Sequence, residues 1–128
     1  MKVDAIINQT DSFHSNSGSI DYLLKNQYTN LPQTLDLSKA YLTKSRNSNF
    51  KYIIHTVGPV WIDGQHNEAH DLESCYKNCL NLALQNEIYT LAFPLIASGT
   101  FQFPKELSLQ IAKNTIEHFL QKQELDIY

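Results

Sequence analysis

Short apolar runs separated by polar turns divide this chain into pieces of two kinds. "VDAII" (3–7), "YIIHTV" (52–57) and "LAFPLIA" (91–97) are continuous and apolar, as strands covered on both faces read. "KAYLT" (39–43) is weaker and predicts an edge strand. Pro94 counts against a regular central place for the third run, because it cannot donate to a ladder. Three other stretches repeat apolar residues at helical spacing. "SIDYLLKNQ" (19–27) carries Ile20, Leu23 and Leu24, with Ser19 as a candidate N-cap. Residues 68–87 repeat Leu72, Cys75, Tyr76, Cys79, Leu80, Ala83 and Leu84. Residues 104–122 begin on Pro104, which suits a first helical turn, and repeat Leu107, Ile111, Ile116, Phe119 and Leu120. "ELDIY" (124–128) reads as a strand just beginning, and "TKSRNSNFK" (43–51) as an exposed turn. Strands alternating with helices predict an α/β domain with a mixed sheet, and 128 residues suit one core.

Composition narrows the classes of function. The net charge is −3 and the lysines and single arginine are scattered, which argues against a nucleic-acid surface. No stretch approaches the roughly 18 apolar residues of a membrane span. The opening "MKVDAIINQT" lacks a secretory pattern, so the expected location is cytoplasmic. Cys75 and Cys79 share one helix face and read as buried thiols. A metal pair would need further ligands at suitable spacing, and none stands out nearby, so neither metal nor cofactor is expected.

Two strands break into small polar residues and then open a helix. The first loop is "NQTDSFHSNSGS" (8–19), and the second runs from Ala97 through Ser98, Gly99 and Thr100 to Phe101. In an α/β sheet, ligands bind outside the carboxyl ends of strands, where backbone N–H groups and helix N-termini favour phosphate. Two such loops flanking one site predict a phosphate-containing ligand. For the second loop alone, an ordinary strand-to-helix turn is the other reading.

Three further motifs identify a family. "KYIIHTVGPVW" (51–61), "LESCYKNCLNLAL" (72–84) and "FPLIASGTFQFP" (93–104) closely resemble macro domains, the ADP-ribose-binding modules, in order and separation. The resemblance runs from Val3 to about Gln121. It implies a three-layer α/β/α macro-like domain over residues 1–128 with a mixed, shortened central sheet. It also implies ADP-ribose or an ADP-ribosylated protein as partner, the diphosphate lying between the two loops. The implied ligand-binding residues are Asn8, Gly18, Ser19, Ile20, Ala97, Ser98, Gly99, Thr100 and Phe101.

MacroD-type hydrolases, which cleave mono-ADP-ribose from proteins or deacetylate O-acetyl-ADP-ribose, rely on the second asparagine of an "N-A-A-N" loop and on a later aspartate. Asp21 matches that aspartate, and Asp11 stands where the asparagine would be, making these two the implied catalytic positions. The exchange replaces an amide that donates and accepts by a carboxylate that only accepts. If both carboxylates face a diphosphate, each like-charge contact costs about 2–4 kcal/mol at 4–8 Å and an effective dielectric of ~20. Asn16, Ser17 and Ser19 thin the family's glycine run, Gln102 replaces a glycine, and Phe101 replaces a tyrosine that packs on the distal ribose. The family's "G-D-I" segment, whose aspartate reads adenine, precedes "VDAI", and a final strand follows. Neither is found here in full, so weak adenine selectivity is expected.

Hydrolase, non-catalytic ADP-ribose binder and residual interaction fold are therefore the three candidate functions. Plain structural roles stand beside several of these assignments. Asp21 could simply stabilise its helix N-terminus, His55 reads as a hydrogen-bonded core histidine, Trp61 and Tyr76 as packing residues, and His14 as an exposed loop residue.

Overall fold

The computed structural model describes residues 3–13, 19–97, 101–123 and 126–128, with only the backbone described at Ser19, Ile20 and Tyr22. Among these residues five strands form one sheet: β1 (Ala5–Thr10), β2 (Ala40–Lys44), β3 (Tyr52–Val57), β4 (Thr90–Ala92) and β5 (Asp126–Ile127). Their spatial order is β2-β3-β1-β4-β5. β2 runs antiparallel to β3, and the other pairings are parallel. The sheet is therefore mixed, with antiparallel β2 at one edge and short β5 at the other, as "KAYLT" and "ELDIY" predicted. Among the described residues three helices accompany it: α1 (Ser19–Leu24), α2 (Glu68–Gln85) and α3 (Lys105–Leu120).

Side-chain alternation shows why the sheet is covered on both faces. On β3, Ile54 joins the core under α2 with Ala5 and Ile7 of β1. Its neighbour His55 points the other way, toward Asn8 and the α1 side. The helical spacing of α2 buries Leu72, Cys75, Tyr76, Cys79, Leu80 and Ala83 completely. Full burial of a leucine such as Leu72 or Leu80 contributes about 1.5–3 kcal/mol. α3 packs beside α2 and adds Ala112, with Leu107, Ile111, Ile116 and Phe119 partly buried. Both cysteines are free and buried, as their shared face predicted. Burial pushes the Cys75 thiol up to about 11, so it is inert at neutral pH.

The apolar run 91–97 does not continue as a strand. β4 ends at Ala92, because Pro94 offers no N–H and the chain turns out of the sheet. Tyr76 anchors the departing segment: its hydroxyl accepts from the Ile96 N–H at 3.1 Å, and its ring packs on Phe93 at 5.3 Å. Ala97 then adopts φ 66°, a left-handed conformation that aims the chain into the second loop. Pro104 precedes α3 as its N-cap rather than forming its first residue.

Candidate functional site

β1, β3 and β4 are parallel, so the segments leaving Thr10, Val57 and Ala92 emerge on the same edge of the sheet. That brings the end of β1 beside Ala97, in the segment that follows β4. Direct contacts weld this edge. The Ala97 N–H donates to Gln9 Oε1, and the Phe103 N–H to the Ala97 carbonyl. The Trp61 N–H donates to the Phe101 carbonyl, and the Trp61 ring meets Phe103 edge-on at 4.9 Å. Gly58, directly after β3, lies so close to this junction that a Cβ would come within 3.0 Å of Ile96 Cγ2.

A cleft of about 400 Å³ opens here, with Asp11 and Phe101 in its wall beside Leu37, Gly58, Val60 and Ile62. Asp11 also accepts from the Phe13 N–H at 3.0 Å, closing a local turn. Asp11 and Phe101 thus line one cleft. Gly18, Ser98, Gly99 and Thr100 lie outside the described residues, as do His14, Asn16 and Ser17.

Asp21 and Asn8 belong to a different environment. Asp21 is 1% exposed and does not line the cleft. Asn8 Nδ2 donates to its Oδ1 at 2.9 Å, and Thr10 Oγ1 donates to its Oδ2 at 2.7 Å. Asn8 Nδ2 also lies 3.2 Å from His55 Nδ1, and Thr43 Oγ1 lies 2.9 Å from His55 Nε2. With the amide donating to Nδ1, the ring proton sits on Nε2, facing Thr43. Tyr28 covers His55 edge-on at 4.4 Å. Burial pushes the Tyr28 phenol up, and the Asp21 charge adds to it. His55 is the buried, hydrogen-bonded histidine the sequence predicted. Asp21 does more than stabilise a helix start, because it ties α1 to β1. Asp11 thus lies in the cleft wall and Asp21 in the interior.

Sequence reasoning missed Glu68. It is 2% exposed, and its Oε2 accepts from the Ile62, Asp63 and Gly64 N–H groups at 2.9–3.0 Å. Its Oε1 accepts from the His66 N–H at 2.6 Å. One carboxylate therefore shapes the 62–66 turn beside the cleft, in which Gly64 adopts φ 86°. Burial opposes the charge, but the four backbone donors outweigh it and bring Glu68 from 4.5 down to about 2. Among the described residues, Asp63, His66 and Glu68 also place possible metal-ligand atoms within 4.8 Å of one another. Those atoms already serve the turn, with His66 Nδ1 2.9 Å from Asp63 Oδ1.

The lowered Glu68 value fixes a sign. A carboxylate more acidic when folded stabilises the native state above its unfolded value, and that contribution fades as pH falls from about 4.5 toward 2. Thermal melts of Glu68→Gln should show a Tm below wild type at pH 7, with the gap narrowing across that window. A gap independent of pH would mean that the charge does not hold this turn.

Comparison with known proteins identifies the fold and its family. The macro domain family model matches residues 11–112. A macro domain-containing protein of Listeria monocytogenes is 34% identical over 94% of this chain and 75% of its own length. A protein named O-acetyl-ADP-ribose deacetylase from Salmonella newport is 33% identical over 98% of this chain and 76% of its own. The Oceanobacillus iheyensis macrodomain, solved with ADP, superposes with a TM-score of 0.87 at 23% identity, covering 98% of this chain and 73% of that one.

Proposed function

Because the chain belongs to the macro domain family, we propose that it binds ADP-ribose, with the diphosphate across the sheet edge between the 8–21 and 97–103 loops. One observation supports this reading: at the carboxyl ends of parallel β1 and β4, the segment after β4 is tied to β1 by the Ala97 N–H bond to Gln9. Backbone N–H groups at such an edge favour an anion, and the adjoining cleft leaves room for the sugar beyond it. Gly18, Ser19, Ile20, Ser98, Gly99 and Thr100 are the proposed phosphate contacts, and Phe101 the surface for the distal ribose. Asn8 would act from beneath, through Asp21. Calorimetric titration with ADP-ribose should give saturable one-to-one binding. Absence of heat and of competition by ADP would sink the proposal.

Turnover is the second reading, favoured by the Salmonella relative's name at 33% identity over nearly the whole chain. Asp11 and Asp21 are its proposed catalytic positions. Hydrolysis needs a base with access to water, and both Asp21 oxygens are engaged by Asn8 and Thr10. That arrangement supports retention of ligand over turnover. Incubation with O-acetyl-ADP-ribose and with a mono-ADP-ribosylated protein separates the readings: release of acetate or label supports the enzyme, and binding without release the binder.

A further inference from the structure

β2 lies at an edge of the sheet, and only one end of its outer side is covered. The Ser45 N–H donates inward to the Lys51 carbonyl, whereas the Arg46 N–H donates outward to the Gln27 carbonyl. Antiparallel pairing alternates these directions, so Ala40 and Leu42 aim both backbone groups outward and Lys44 aims its N–H there. The outward groups of Ala40 and Leu42 have no backbone partner among the described residues. Tyr28 forms an antiparallel bridge with Ser45, so the edge already accepts a short piece of added strand at that end. Asn30, at φ 68°, ends that extended run. A hollow of about 550 Å³ opens there, with Thr29 and Asn30 on one side and Leu42, Lys44 and Tyr52 on the other. At about 3.4 Å per residue, about 4.8 Å between strands and about 10 Å between layers, it has room for about three extended residues.

The charge along this edge is opposite to that of the whole chain. From Leu37 to Ile62 the sequence holds Lys39, Lys44, Arg46 and Lys51 and no acidic residue, although the net charge is −3. The cations run the length of the chain, but these four share β2 and its flanks. All four are exposed, and none is ion-paired among the described residues. Arg46 reaches the neutral Asn26 carbonyl at 3.5 Å, which leaves its charge unmatched. Asp4 and Asp36, at the margins, make their contacts here through backbone atoms. Cations on an edge strand deter pairing with a second copy, because two such edges repel. The same cations attract an acidic strand, and half-buried Leu42 and Tyr52 give it an apolar floor.

We propose that the β2 edge receives an extended acidic segment of a partner protein as an added antiparallel strand, bonded to the outward groups of Leu42 and Lys44. Carboxylates of the segment pair with Lys44 and Arg46, and an apolar residue between them covers Leu42. The site is separate from the loops after β1 and β4 and needs no ADP-ribose.

The test follows the backbone amide resonances of the domain during titration with a blocked peptide of alternating glutamate and valine. Two controls accompany it: a lysine–valine peptide of the same length, and a fully N-methylated glutamate–valine peptide, which has no N–H to donate. The acidic peptide should shift the Leu42 and Lys44 amides saturably, slow their hydrogen exchange, and bind about tenfold tighter than the basic one. That preference should reverse in the double variant Lys44→Glu, Arg46→Glu. Lys44→Pro removes an outward donor and leaves the inner ladder whole, so it should weaken the acidic peptide by about fivefold or more. Equal binding of the acidic and basic peptides, or undiminished binding of the N-methylated one, overturns the added strand. Shifts confined to the loops after β1 and β4 overturn it too, as do larger shifts at β2 from a single-stranded oligonucleotide than from the acidic peptide.

Discussion

Asp21→Ala should destabilise the fold by about 2–4 kcal/mol, because it strands two buried donors, Asn8 Nδ2 and Thr10 Oγ1. Removing a buried carboxylate also relieves its desolvation, but each stranded donor still loses about 1–3 kcal/mol of compensation. Thr10→Val removes one bond and leaves the carboxylate in place, so it should cost less, about 0.5–1.5 kcal/mol. Urea unfolding at neutral pH measures both, and a shift in Tm of roughly 10 °C should accompany the alanine variant. Wild-type stability in Asp21→Ala would mean that the side chain does not sit between Asn8 and Thr10. The result also bears on function. A loss of binding or hydrolysis in Asp21→Ala can arise from the loosened junction of β1 and α1, so such a loss assigns chemistry to Asp21 only in a variant shown to be folded at the assay temperature.

The difference between what could and could not be read from the chain has a physical basis. α2 was legible because its apolar residues recur at three and four and all reach one core. β3 was legible because five consecutive buried positions leave no alternative to a covered strand. β4 was overextended because apolarity alone does not distinguish a ladder from a buried turn. Pro94 and a tyrosine hydroxyl decided that segment. The polar interior was the harder case. Asn8 and Thr10 are two apart on β1, which puts both on the face toward α1, but their partners lie 11 to 47 residues away. Only the packing of α1 against β1 brings Asp21 to them. The Glu68 turn is local, yet its signal is an acid at a helix start, which ordinarily needs nothing beyond the helix dipole to explain it. Sequence pattern reports which face is buried, and it is silent on which acceptor a backbone N–H will find.

Asp11→Asn should strengthen ADP-ribose binding, provided the ligand lies where we propose. Asp11 lines the cleft, and its Oδ1 accepts the Phe13 N–H. An asparagine oxygen can accept the same bond, so the turn survives the substitution while the negative charge does not. The amide adds N–H donors that a carboxylate lacks, which suits ribose hydroxyls and a nearby diphosphate. One mismatched charged contact is worth about 1–3 kcal/mol, on the order of ten- to a hundredfold in Kd. The gain should shrink as salt is raised, because the repulsion removed lies at a partly exposed site. Any hydrolysis by the wild-type domain should rise with it, since the amide can steady the ribose in a productive pose. Calorimetric titration of wild type and Asp11→Asn at two salt concentrations, with turnover followed in parallel, measures each effect. Unchanged affinity would remove residue 11 from the ligand's surroundings, and tighter binding with slower hydrolysis would make Asp11 the base.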